Sequence, residues 1–222
     1  MVYPSFSIVF EITEVTGAGH GIGRELAIQL ADLGCTVVCV DLNQENNAKT
    51  ADQINTTHNC KKAFPFEMDV TFRDQVMATR QKIFETVGAV DILINNAGIM
   101  TPQPILTAKP DDIVAVINVN LLAHFWIIAK GMMDALVEEL RGPSPGMMDA
   151  LVEELRGPSP GVKFTTVHPY FVNTRPDLPE HLHLRMPQLE PGFAAKEIIR
   201  AMLEEQEAVS IPRHLYFFAH LL

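Results

Sequence analysis

At 222 residues, 47% apolar and 20% charged, the chain is long enough for one sizeable globular domain, and its composition argues against disorder. A formal net charge of −10 without any cluster of Lys and Arg argues against a nucleic-acid partner, because phosphate contacts need concentrated cations. The three cysteines, Cys35, Cys39 and Cys60, lack metal-ligand spacing and read as reduced thiols, as expected of a cytoplasmic protein.

Met1 to Val15 is too short and, with Glu11 and Glu14, too charged for a spanning helix, and it lacks the basic start of a signal peptide. No segment is expected to span a membrane. The first strand should run over Ser7 to Val15 and end at Thr16. Its pattern alternates in part, and Glu14 stands where a strand covered on both faces wants an apolar residue. Four glycines then fall within seven positions: Gly17, Gly19, Gly21 and Gly23. With so few Cβ atoms, backbone N–H groups can approach a bound phosphate. A helix is expected from Arg24 to Leu33, stopped by Gly34, with its N-terminal dipole toward that phosphate. Thr36 to Val40 reads as a buried strand ending in Asp41, placed to accept hydrogen bonds from a ribose.

A second helix is expected from Asn43 to His58. The strand that follows, Lys62 to Val70, carries Pro65, which suits a place near a sheet edge. Thr71 to Asp74 has the form of a capping box for a third helix running to Val87, where Gly88 stops it. Val90 to Ile94 is a short buried strand leading into Asn95-Asn96-Ala97-Gly98. After a loop with Pro102 and Pro104, Lys109-Pro110-Asp111-Asp112 opens a fourth helix with proline and acids in its first turn. This alternation predicts an α/β fold, a doubly wound parallel sheet with helices on both faces.

The glycine spacing is Thr-Gly-x-x-x-Gly-x-Gly over Thr16 to Gly23 and not Gly-x-Gly-x-x-Gly. It resembles the cofactor loop of the short-chain dehydrogenase/reductase (SDR) family, and the resemblance is continuous from Thr16 to about Lys130. It implies a Rossmann-like fold and a dinucleotide held by Thr16, Gly17, Gly19, His20, Gly21, Ile22 and Gly23, with Asp41 and Leu42 on the ribose side. Asp69 and Val70 match the family's adenine contact. Asn96, Ala97 and Gly98 match the segment after its fourth strand. Asn120 matches the helix-four asparagine of its proton relay, here a remnant of the catalytic set. Asp41 favours NAD over NADP, because a carboxylate there accepts ribose hydroxyls and repels a 2′-phosphate. In the loop only His20 partly offsets this. The flavour is that of the branch acting on retinoids, steroids and other lipophilic alcohols, some members of which sit on lipid droplets or the endoplasmic reticulum.

After Lys130 the pattern changes. Residues 131–145 recur without a single change as residues 146–160. Each copy reads as a short amphipathic helix closed by Gly-Pro-Ser-Pro, and two short copies are too few for a solenoid. Gly161 to His168 reads as a strand. Pro169 to Thr174 then resembles the family turn that holds the nicotinamide carboxamide, through Pro169, Val172 and Thr174, with Tyr170 in place of the usual glycine. Arg175 to Pro191 fits the substrate loop. A last helix is expected over Ala194 to Glu205, and Ser210-Ile211-Pro212 suits the entry to a final strand or turn. The whole chain, 1–222, reads as one incomplete SDR domain with an internal duplication.

The family's fifth strand, its catalytic serine and its Tyr-x-x-x-Lys have no counterpart in the sequence. Tyr3, Tyr170 and Tyr216 are followed four residues on by Ser7, Thr174 and His220. Hydride transfer to or from an alcohol carbon also needs a proton moved at the oxygen, and a phenol of pKa about 10 needs a neighbouring cation to serve near neutrality. Losing such a group costs on the order of a hundred- to ten-thousand-fold in rate. Tyr170 assisted by Lys130 or Lys163 is a weak substitute, since no spacing enforces the pair. His124, beside Phe125 and Trp126, reads as a packed side chain, and His181-x-His183 lacks further ligands for a metal. To cover the edge left by the missing strand, Val162 to His168 is expected to pair beside Ile92 to Ile94.

Three functions follow from the resemblance. The first is an SDR-type NAD(P)-dependent oxidoreductase acting on a lipophilic alcohol or ketone, impaired as sequenced. The second is a non-catalytic NAD-binding or homodimer-partner protein, and the third a mis-spliced product without stable function.

Overall fold

The computed structural model describes residues 11–100, 107–131, 163–174 and 184–215. Strand β1 (Ile12–Thr16) leads through the glycine loop into α1 (Gly21–Asp32), followed by β2 (Thr36–Asp41), α2 (Gln44–His58), β3 (Ala63–Glu67), α3 (Arg73–Thr86) and β4 (Ile92–Ile94). One long helix follows, as α4 (Pro110–Ile117), a π turn over Asn118–Leu122, and α5 (Ala123–Gly131). Strand β5 (Thr166–Pro169), helix α6 (Pro191–Leu203) and strand β6 (Ala208–Ile211) complete the described elements. The fold is α/β, as the alternation predicts, and Rossmann-like, as the resemblance implies.

Four parallel strands form the main sheet in the order β3-β2-β1-β4. Pro65 sits in β3 at the outer edge, where its missing N–H costs no ladder bond. Alternate side chains of β1 and β2 point to opposite faces, so the core is double. On one face Val15, Val37 and Cys39 meet Leu26 and Leu30 of α1, Ile54 of α2, and Ala195 and Ile199 of α6. On the other, Val38 and Val40 meet Val76 and Ile83 of α3 and Ala123 and Ile127 of α5. Cys35 and Cys39 are buried free thiols, and burial pushes Cys39 up to about 12, so it is unreactive; Cys60 is exposed.

Several expectations are corrected. Strand β5 does not pair with β4. It pairs in parallel with β6, Thr166 opposite Ala208 through Pro169 opposite Ile211, in a separate two-stranded sheet. The β5–α6–β6 unit is held instead from α1: Gln29 Nε2 donates to the Gly192 carbonyl at 3.0 Å, and Ala194 and Ala195 are fully buried. Among the described residues β4 therefore has β1 as its one partner strand, and Leu93 is 38% exposed. Ser210 and Ile211 end β6 and lead into a turn at 212–214, the second of the two places expected for them.

Helix α1 begins at Gly21, three residues before the expected start, so more of the glycine loop belongs to the helix. The Thr71 capping box does not form, and Phe72 caps α3 without a side-chain bond. Thr71 instead gives both its N–H (2.9 Å) and its hydroxyl (2.7 Å) to Asp69 Oδ1. Helix α3 starts one residue too late for Thr71 to stand at its N-cap.

Over Pro110–Ile128 the α4–α5 helix is, by length and composition alone, long and apolar enough to cross a bilayer, with a mean hydropathy of 1.5. The sequence predicts a helix here but not its length and apolarity. Ala123 and Ile127 pack against the sheet, while only 11% of that apolar window is buried. The N-terminal residues of β1's expected run, most of both repeat copies, and His181 and His183 lie outside the described residues.

Candidate functional site

The loop between β1 and α1 folds back on itself as tightly as a backbone can. Gly17 and Gly21 take positive φ (+71° and +56°), which glycine adopts at little cost. A Cβ on Gly23 would stand 2.1 Å from the Gly17 carbonyl oxygen. Helix α1 starts from His20, which is exposed, extended and offers no side-chain cap. The first N–H groups of the helix are thus left for an anion.

Asp41 braces the loop. Its Oδ2 accepts the Gly19 N–H and its Oδ1 accepts the Asn43 N–H, both at 2.8 Å. Each oxygen keeps a further lone pair for a ligand hydroxyl. Beneath, Asn47 of α2 donates to the Cys39 and Phe66 carbonyls at 2.9 and 3.0 Å, tying β2 to β3 directly under Asp41. The sequence reading missed Asn47. Its only signal is a buried amide on the inner face of a polar helix. Leu42 beside Asp41 is 64% exposed.

Thr16 joins the loop to the far wall. Its Oγ1 accepts the N–H groups of Asn96 and Ala97, each at 3.0 Å, while Asn96 Nδ2 donates to the Thr16 carbonyl at 2.9 Å. Thr16→Val would strip the acceptor from both amides. Leaving them without a partner should cost about 2–3 kcal/mol in urea unfolding. A variant as stable as the parent would show the hydroxyl to be dispensable.

The structure therefore brings Thr16 to Gly23, Asp41 and Asn96 to Gly98 to one end of the sheet. Thr174 joins them, because a Cβ on Gly21 would meet its Cγ2 at 2.7 Å. Ile22 packs against the α1-side core, and Val70 is buried on the opposite face. The Asp69 carboxylate is spent on Thr71, and its N–H bonds the Gln75 side chain at 3.0 Å. Pro169 is exposed at the end of β5, and Val172 bridges Leu189. Asn120, in the π turn, holds Ile99 by both backbone groups, at 2.8 Å each.

Two of the substitutes for the missing base, Tyr170 and Lys163, are drawn elsewhere. Tyr170 OH accepts the Met186 N–H at 3.3 Å, and Lys163 pairs with Glu205 at 3.1 Å. His124 is half-buried, and burial holds its pKa below the usual histidine value despite a hydrogen bond to the Ala97 backbone. Among the described residues no group of three or more His, Cys, Asp or Glu side chains could hold a metal ion.

The fit to a dinucleotide rests on the cradle itself: a loop whose glycines any Cβ would obstruct, a helix start without a cap, and a carboxylate at the next strand end. The family described as short chain dehydrogenase matches residues 11–143, more than half of the chain. The chain belongs to that family. Among curated relatives, this short-chain dehydrogenase is 30% identical to epidermal retinol dehydrogenase 2 of Mus musculus, over 98% of this chain and 79% of the relative. That match extends over 246 positions, more than this chain has residues, so the relative carries segments with no counterpart here. The chain is also 37% identical to estradiol 17-beta-dehydrogenase 11 of Mus musculus over 54% of its own length and 40% of that protein. Among solved structures, a short chain dehydrogenase/reductase from Burkholderia phymatum in complex with NAD superposes with a TM-score of 0.76 at 20% identity, over 97% of this chain and 92% of that one. The alcohol dehydrogenase of Thermococcus sibiricus complexed with 5-hydroxy-NADP gives 0.72 at 22% identity, over 91% and 96%. At these identities the structures speak for the fold.

Proposed function

We propose that this short-chain dehydrogenase binds NAD in the Thr16–Gly23 cradle and is impaired in the family's alcohol–carbonyl interconversion. The Asp41–Gly19 bond carries the reading, because it fixes a carboxylate where an adenosine ribose would lie against the glycine loop. When bound, the nicotinamide would supply the hydride acceptor or donor. The loop and the α1 N-terminus hold the pyrophosphate, Asp41 accepts ribose hydroxyls, and Asn96 to Gly98 form the adenosine wall. Val172 and Thr174 lie toward the carboxamide end. Asp41 disfavours the extra phosphate of NADP. The names of the retinol and estradiol dehydrogenase relatives support a lipophilic alcohol or ketone as substrate.

Among the described residues, none brought to this site replaces the phenol–ammonium pair. Tyr170 is tied to Met186, and Lys163 to Glu205. We therefore read the chain as a single incomplete domain carrying the 131–145/146–160 duplication. In titrations followed by NADH fluorescence, NADH should bind at least tenfold more tightly than NADPH. Turnover of retinol or a hydroxysteroid should fall roughly a hundred- to ten-thousand-fold below an intact relative. Equal affinity for the two cofactors would refute the role given to Asp41, and turnover at a relative's rate would refute impairment. A second reading, a non-catalytic dimer partner, draws on the exposed Val114, Ile117 and Leu122 along the α4 helix and its π turn. It would show as a dimer in light scattering.

A further inference from the structure

The cradle is built from segments that leave the strands at their C-terminal ends. A separate cleft of about 270 Å³ lies between β1, the last turns of α3 and residues 88–90, which lead into the start of β4. Its polar lining is Glu14 and Arg80, and Ile83, Phe84 and Val90 line it beside them. Side chains alternate along β1, and Glu14 stands there between Val38 and Leu93 of the neighbouring strands. It is 3% exposed, and its Oε1 is buried without a hydrogen-bond partner. Buried carboxylate oxygens are normally satisfied, so this one is an acceptor held in reserve. Arg80 does not reach that oxygen. Its Nη1 donates to the Ile127 carbonyl at 3.1 Å, which uses one of the five N–H groups of a guanidinium. Phe84 is 63% exposed, so α3 leaves an aromatic surface to solvent beside the two charged groups.

We propose that this cleft is a second ligand site, taking a small molecule with a neutral carboxamide head and an apolar tail. The amide N–H is donated to Glu14 Oε1, the amide oxygen accepts from the Arg80 guanidinium, and the tail lies against Ile83, Phe84 and Val90. A carboxamide carries its donor and its acceptor on one carbon, the complement of a carboxylate and a guanidinium that do not satisfy each other. An anionic head would set its charge against Glu14, and a cationic head against Arg80. At roughly 30 Å³ for each water, the cleft has the space of about nine waters, enough for a ligand of about ten non-hydrogen atoms. The site also gives a reason for an acid in the middle of a covered strand, since local sequence rules tend to be broken where function requires it. It shares no residue with the cradle and does not depend on the dinucleotide reading.

The full chain is titrated at pH 7.5 with hexanamide, hexanoate and hexylamine, three ligands of one size and different charge, followed by ligand-observed NMR. Hexanamide should bind with a Kd of about 1 mM or tighter, and at least tenfold more tightly than the other two. Glu14→Leu should weaken hexanamide at least tenfold, the order of one hydrogen bond to a charged group. Glu14→Gln keeps an acceptor oxygen and should stay within about fivefold of the parent. Urea unfolding establishes that each variant is folded. The inference is overturned if hexanamide shows no binding at about 10 mM, since the cleft would then hold water alone. It is equally overturned if Glu14→Leu binds as the parent does, which would place the ligand elsewhere, for instance in the cradle. Equal affinity for all three ligands would show apolar contact without recognition of the head, and an equal loss in Glu14→Gln and Glu14→Leu would show that the acceptor is not used. Either result also refutes the site.

Discussion

Gly23→Ala should abolish measurable NADH binding and destabilise the fold by about 3 kcal/mol or more. The added Cβ would lie 2.1 Å from the Gly17 oxygen, 2.7 Å from the Gly17 carbonyl carbon and 2.5 Å from Asn96 Nδ2. Two of these atoms are backbone. The third is the end of an amide already committed to the Thr16 carbonyl at 2.9 Å, so it cannot swing away without breaking the link between loop and wall. Relief must come from moving α1 or opening the turn at Gly17, and either displaces the N–H groups that would meet a pyrophosphate. Gly98→Ala is the matched control in the same site. Its Cβ would meet Asn120 Oδ1 at 3.5 Å, an ordinary contact, at a residue whose φ is not among the positive ones. It should keep stability to within roughly 0.5 kcal/mol. Urea unfolding and NADH titration of both variants test the pair, and undiminished NADH affinity in Gly23→Ala would show that the loop can rearrange.

The part of the site legible in the sequence is the part written in backbone requirements. Glycines at 17, 21 and 23 and an acid at 41 each answer a steric or lone-pair demand that few other residues meet, and strand and helix periodicity placed them on a parallel sheet. What holds the wall was not legible. Asn120 acts on the backbone of Ile99, and a carbonyl or amide leaves no mark on sequence composition. Thr71 failed as a cap because α3 starts at Arg73 with Phe72 at its N-cap, which leaves Thr71 one residue outside, donating its N–H and hydroxyl to Asp69. The pairing of β5 was misread because the sequence shows a vacancy beside β4 and not the anchor that decides. Helix α6 packs on α1 through Ala195 and Ile199, and β5 pairs with β6 in a sheet separate from β4.

Glu14 is the one sequence conflict that the fold keeps. It lies in β1 between Val38 and Leu93, is 3% exposed, and its Oε1 has no hydrogen-bond partner. Burial raises its pKa, and the nearby Arg80 guanidinium offsets this only in part; Arg80 Nη1 is engaged with the Ile127 carbonyl at 3.1 Å. The two line a cleft of about 270 Å³ with Ile83, Phe84 and Val90, so a bulkier apolar side chain has room to settle. Glu14→Leu should therefore stabilise the chain at pH 7 by about 1–3 kcal/mol, removing a buried carboxylate while Arg80 keeps its carbonyl partner. The sign of the pH dependence follows from linkage. The folded state holds the Glu14 proton to higher pH than the unfolded state does. From the unfolded value of about 4.5 up to the raised folded pKa, the parent therefore loses stability as pH rises. The gain from Glu14→Leu should be largest at neutral pH and shrink toward pH 4.5, where both states are becoming protonated. Denaturation midpoints of parent and variant at pH 7 and pH 5 decide it. A gain independent of pH would mean that leucine packing, and not the carboxylate, accounts for the difference, and a loss at pH 7 would mean that the Glu14–Arg80 attraction outweighs the burial of the charge.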